Sequence, residues 1–110
     1  MKATITSIEL KGPLKFFALS GKALKIIRQL KTTNCKGFKK KGFWTTHYTM
    51  TLWNNDLELQ EFARSGAHLE AMRSSKDIAK EIRTITIETD PLPNWDDAKR
   101  LLESAKVFRF

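Results

Sequence analysis

One cysteine, Cys35, is all that 110 residues contain. A single thiol forms no internal disulfide and no multi-cysteine metal site, and an intracellular, cytoplasmic location is the resulting expectation. Long apolar runs are missing too. None approaches the roughly 18 residues of a transmembrane helix, and the opening MKATITSIEL alternates where a signal peptide has a continuous apolar block. No membrane partner is expected. Phosphate loops, dinucleotide fingerprints and nucleophile elbows are lacking. The two histidines, His47 and His68, stand far apart in the chain and do not make a metal site. No metal and no cofactor is expected. Acidic residues are also scarce: 12 face 20 lysines and arginines, for a net charge of +8. The densest basic stretch is Lys36 to Lys41, with the remaining excess spread over helix surfaces. Dispersed lysine of this kind reads as a solvated face rather than a nucleic-acid footprint.

What is present suits one globular α+β domain spanning residues 1–110. Apolar residues make up 41% and charged residues 29%, and a chain of this length buries about 65% of its unfolded surface without staples. There is no internal repeat, linker or low-complexity segment.

Ala3 to Leu10 alternates and is rich in isoleucine and threonine, which predicts a first strand; Ile5 and Ile8 share a face only across a bulge. After Gly12-Pro13, the positions Phe16, Leu19, Ala23, Ile27 and Leu30 recur at three- and four-residue steps, predicting a helix over Leu14 to Leu30 with one buried stripe. Cys35 to Lys41 reads as a basic edge strand and hairpin. Phe43 to Trp53 reads as the best strand. It sets Trp44, Thr46, Tyr48, Met50 and Leu52 on one face, and Phe43, Thr45, His47, Thr49, Thr51 and Trp53 on the other. The first set is the expected core face, with Trp44 in the core, and the second is expected to look away from the helices. Asn54-Asn55-Asp56 supplies a turn and an N-cap, and Leu59, Phe62, Ala63, Gly66 and Leu69 share a helical sector. Ile82 to Thr89 forms a fourth strand, with Ile85 and Ile87 opposite Thr84, Thr86 and Glu88. Pro91 and Pro93 end the sheet, and Trp95 to Ala105 reads as a terminal helix before an apolar tail. The order is the split β-α-β-β-α-β arrangement of ferredoxin-like folds, an antiparallel sheet with an extra C-terminal helix.

On this frame the segment Phe43 to Met72 resembles the antibiotic-biosynthesis-monooxygenase-like and spheroidene-monooxygenase-like members of the dimeric α+β barrel superfamily. The residues that carry the resemblance are Trp53, Asp56, Phe62, Ser65, His68 and Met72. It implies a homodimer whose open sheet faces enclose a cavity, a small-molecule ligand and, for some members, cofactor-independent oxygenation of an aromatic or polyketide-like substrate. Heme-binding and inactive members also exist, so an enzymatic role does not follow from the fold. An RNA-recognition module shares the element order, and Lys41, Gly42, Phe43 and Tyr48 match its third-strand motif. Thr45, however, stands where a stacking aromatic belongs, and the first strand lacks the companion ring. A nucleic-acid partner is not expected.

Among single residues, His47 is the candidate acid/base, since an imidazole titrates near neutrality at about 6.5. Thr45, Thr49, Thr86 and Trp53 are the candidate substrate-binding residues beside it, with His68 at the cavity mouth. Glu88 is a candidate to orient His47.

Overall fold

The computed structural model describes residues 1–64, 66 and 72–110. Five strands form one antiparallel sheet: β1 (Lys2–Leu10), β2 (Gly37–Phe43), β3 (Thr46–Trp53), β4 (Ala79–Glu88) and β5 (Lys106–Arg109), in the order β2-β3-β1-β4-β5. The first four strands with α1 (Lys15–Leu30) and α2 (Asp56–Ala63) give the ferredoxin-like order. The apolar tail becomes β5, paired to β4 from Glu81↔Arg109 to Thr84↔Lys106. The terminal helix, α3 (Trp95–Leu102), ends three residues sooner than its hydrophobic pattern predicts.

Local chemistry explains the helix starts. Asn55 caps α2 by accepting from the Glu58 backbone N–H at 3.0 Å, and Asn94 caps α3 by accepting from the Asp97 N–H at 2.8 Å. Asp96 and Asp97 lie in the first turn of α3 and Lys99 and Arg100 in its last, the arrangement that the helix dipole favours. The first helix has no side-chain cap; Gly12 and Pro13 carbonyls accept from its first N–H groups instead.

The strand predicted over Phe43 to Trp53 is in fact the end of one strand, a turn and the start of the next. Phe43 pairs with Thr46, so Trp44 and Thr45 form a two-residue hairpin loop. Such loops require positive φ, a conformation usually left to glycine or asparagine, and Trp44 adopts φ 55°. Trp44 is therefore not core: it is 72% exposed. No Gly, Asn or Asp marks this turn, which is why periodicity alone runs straight through it.

The sheet is a middle layer with core on both sides. Across it, Ala3, Leu52 and Ile87 lie in one row and Ile5, Met50 and Ile85 in the next. Ala98 and Leu102 of α3 seal Ile5 and Met50 to zero exposure, each such burial contributing about 1.5–3 kcal/mol. On the opposite face Trp53 packs against Phe62 of α2 and Leu30 of α1. Ile5 and Ile8 fall on opposite faces, and the register shift comes only after Glu9. The expected layering is thus corrected. The face of His47, Thr49, Thr51 and Trp53 looks toward α1 and α2, while the more aliphatic face is taken by α3. Both alternating sets of β3 hold large apolar residues, so parity alone could not decide which helices went where.

Candidate functional site

The helix-facing side of the sheet is laid out in rows by strand register. His47 lies level with Gly42, Ile8 and Ile82. The next row is Lys40, Thr49, Thr6 and Thr84, and beyond it come Phe38, Thr51, Thr4 and Thr86. Apart from the exposed Gly42, Lys40 and Thr86, these residues are half-buried. An aliphatic strip therefore gives way to a hydroxyl floor that keeps partial solvent access under α1. The hydroxyls interact across strands: Thr4 and Thr86 at 3.0 Å, Thr6 and Thr84 at 3.2 Å. At the far end the Trp53 indole N–H donates to the Thr51 hydroxyl at 2.9 Å.

Three contacts hold the imidazole of His47. Its ring stacks on Phe16 of α1, with centroids 5.5 Å apart and planes inclined by 28°. Its Nε2 lies 3.2 Å from the Trp44 carbonyl. Because a carbonyl only accepts, Nε2 carries hydrogen in this bond, and in the neutral ring Nδ1 is the basic nitrogen. Finally, the ring rests over Gly42, where a Cβ would lie 2.7 Å from Cε1 and closer still to Nδ1. A glycine on this exposed edge thus makes room for the nitrogen that could take a proton.

Not all of the sequence-predicted residues gather here. His47 and Thr49 are adjacent on the floor. Thr86 shares the face but lies two rows from His47 and two strands away. Trp53 is six positions along β3 (53 less 47), about 20 Å at the usual rise per residue, and it is 1% exposed; a small ligand touching His47 does not reach it. Thr45 leaves this face altogether, donating from the turn to Glu9 Oε1 at 2.6 Å. His68 lies outside the described residues. Glu88 is at the wrong end to orient His47: it is bonded to Lys2 and the N-terminal ammonium, both at 3.0 Å.

Sequence reasoning missed the polar cluster on the other face, in a cleft of about 310 Å³ lined by Glu9, Thr46, Tyr48, Glu81 and Arg83 among others. The hydroxyl of Thr45 and then that of Thr46 hold the Glu9 carboxyl below its ordinary value of 4.5. Arg83, bonded at 2.6 Å, does the same for Glu81. Lys99 sits 5.4 Å over the Tyr48 ring. Each of these charges has a partner, hydroxyls for Glu9, Arg83 for Glu81 and a ring for Lys99, which marks a satisfied network rather than a reacting centre. The signal was available: Ser7 and Glu9 share the parity of Ile5, so polar side chains had to continue the apolar face. Among the described residues no group of three His, Cys, Asp or Glu could hold a metal ion. Cys35 is half-buried, with Sγ 3.1 Å from the Gly37 carbonyl.

This architecture, a ferredoxin-like antiparallel sheet with a C-terminal helix and fifth strand, is shared with solved structures that include antibiotic biosynthesis monooxygenases. No family model and no curated protein matches the chain. Solved structures do. An antibiotic biosynthesis monooxygenase aligns at TM-score 0.72 with 8% identity over 83% of this chain and 100% of its own. Rv0793 from Mycobacterium tuberculosis aligns at TM-score 0.72 with 13% identity over 86% and 97%. SnoaB, a cofactor-independent oxygenase from Streptomyces nogalater, aligns at TM-score 0.62 with 8% identity over 83% and 94%. At these identities the likeness is one of fold.

Proposed function

We propose that this chain is a homodimeric small-molecule protein that binds a planar phenolic ligand beside His47 and oxygenates it without a cofactor. The observation that carries the reading is the mounting of His47: stacked on Phe16, tied through Nε2 to a backbone carbonyl, and seated with Nδ1 against a glycine that leaves it room. The adjoining strip suits such a ligand, with Ile8 and Ile82 for ring faces and Thr49, Thr6 and Thr84 for its oxygens. The cofactor-independent oxygenase SnoaB, which shares the fold, supports the reaction class.

In the proposed reaction, Nδ1 accepts the phenolic proton, and the electron-rich ring carbon para to the oxygen attacks dioxygen. A carbon–oxygen bond forms, the oxygen–oxygen bond breaks, and the ring carbon loses its hydrogen as a proton. One dioxygen atom ends in the quinone carbonyl and the other in water, with the four electrons drawn from the ring; His47 returns its proton to the water that leaves. Lys40, on the same face and level with Thr49, adds a cation that favours the phenolate. The second copy is placed on the α3 side of the sheet, where Ser7, Tyr48 and Arg83 keep partial exposure.

The test is oxygen uptake with a panel of naphthols and anthrones, with labelled dioxygen to trace the quinone oxygen. His47→Gln should abolish turnover while leaving the mass in solution at twice that of the chain. Binding that leaves the His47 and Thr49 resonances unmoved, or oxygen uptake that survives His47→Gln, would overturn the assignment.

A further inference from the structure

The end of the molecule that carries the hairpin loop exposes apolar side chains that neither the core nor the proposed site uses. Trp44 is 72% exposed, Leu14 80% and Phe17 73%. They form one surface. Phe17 stacks edge-on against Phe16 at 6.1 Å, Phe16 covers His47, and His47 is bonded to the Trp44 carbonyl. Leu14 immediately precedes the first turn of α1, and the Leu10 N–H donates to the Thr45 carbonyl at 2.8 Å, fixing the loop against the end of β1. Lys11, Lys15 and Lys41, all exposed, stand within four residues of Leu14, Phe17 or Trp44 along the chain. Among the described residues none of the ion pairs draws on any of the three. The carboxylate of Glu9 behind the loop is taken up by the Thr45 and Thr46 hydroxyls.

The geometry points to a docking surface for an anionic lipid bilayer, with Trp44, Phe17 and Leu14 entering the headgroup region and Lys11, Lys15 and Lys41 on lipid phosphates and carboxylates. An indole at a loop tip beside phenylalanine and leucine matches the interfacial layer of a membrane, where amphipathic rings sit at headgroup level. No spanning helix is needed for such contact, and none among the described residues is long and apolar enough to cross a membrane. Charge selects this occupant over the alternatives. A second copy would bring its own Lys11, Lys15 and Lys41 against these, in a chain of net charge +8. A nucleic acid would satisfy the lysines but offers no apolar medium for Leu14 and Phe17.

Co-sedimentation with phosphatidylcholine vesicles, with and without phosphatidylserine, tests the assignment. Binding is expected only with the anionic lipid and should fall steeply as salt rises. Lys11→Glu and Lys15→Glu should each weaken it at least fivefold, since a lysine near an anionic surface is worth about that factor. Trp44→Gly and Phe17→Ser should weaken it as much with the far-ultraviolet circular dichroism unchanged; glycine is at home at positive φ, so the first is not expected to unfold the hairpin. Absence of vesicle binding, or binding indifferent to Trp44→Gly and Phe17→Ser, would overturn the proposal. So would tighter binding to single-stranded RNA than to vesicles, or a solution dimer that Trp44→Gly dissociates, which would give the surface to a nucleic acid or a second copy.

Discussion

Replacing Gly42 with alanine would separate the site from the fold. The added Cβ would stand 2.7 Å from His47 Cε1, against 3.4 Å for an ordinary contact, so the ring must retreat by at least 0.7 Å (3.4 less 2.7). Its path is constrained by Phe16 on one side and by the bond to the Trp44 carbonyl. An off-rotamer displacement costs about 0.5–1.5 kcal/mol, and loss of an aromatic stack about as much again. Alanine recovers about 0.5–1 kcal/mol of that, because glycine in a strand sacrifices more conformational freedom on folding. The net loss in urea unfolding is therefore expected at about 1 kcal/mol, with the slope unchanged. The effect on the site should be much larger, since Nδ1 is driven from its place beside Gly42. Phenol binding, followed by the His47 ring resonances in heteronuclear NMR, should weaken at least tenfold. Gly42→Ser should behave in the same way, whereas Gly12→Ala, where a Cβ meets nothing within 4 Å, should leave binding intact. If Gly42→Ala leaves both the ring resonances and phenol binding unmoved, the imidazole does not rest where it is described and the argument for Nδ1 fails.

Trp44→Asn should raise stability: relief of a bulky residue at positive φ is worth about 1 kcal/mol, or about 4 °C in melting temperature for a chain of this length. A lower melting temperature by calorimetry would mean that the indole packs more than its exposure indicates. Met50→Ala should cost about 2–5 kcal/mol in urea unfolding, because Met50 is wholly buried beneath α3 and its removal leaves a cavity; a loss below 1 kcal/mol would show that α3 closes onto the gap. Thr45→Val with Thr46→Val should change the acid limb of stability. In the folded chain the Glu9 carboxyl lies below 4.5, so its stabilising effect is present above that pH and is lost as pH falls through the lower, folded value. The variant's deficit should thus be full at neutral pH and shrink in acid; a deficit that stays constant down the acid limb would remove Glu9 from the account.

Long-period patterns were the legible part of this chain. The element order, the Asn55 cap and the aliphatic run of β4 all follow from periodicity and propensity, whereas of the predicted α1 stripe only Leu30 is buried and Phe16 is exposed. The errors arose where a distant partner decides. At Phe43-Trp44-Thr45-Thr46, β propensity favours continuing the strand, but pairing of Gly42 with His47 and Phe43 with Thr46 requires a reversal there. The sheet ladder overrides the preference of a tryptophan for negative φ. Which face receives which helix is likewise not written in β3. Threonine tolerates a helix, water or another sheet, and the balance is tipped by Ala98 and Leu102, about fifty residues downstream, fitting Ile5 and Met50. That choice turns His47 toward Phe16 of α1, while the hairpin reversal separates Thr45 from Thr49. A histidine predicted to face a shared cavity instead takes its positioning from its own helix α1 and its own hairpin. Its chemistry should therefore persist in a monomer, and dilution of the protein should spare the response of the His47 ring to phenols. Loss of that response on dilution would return the site to the interface.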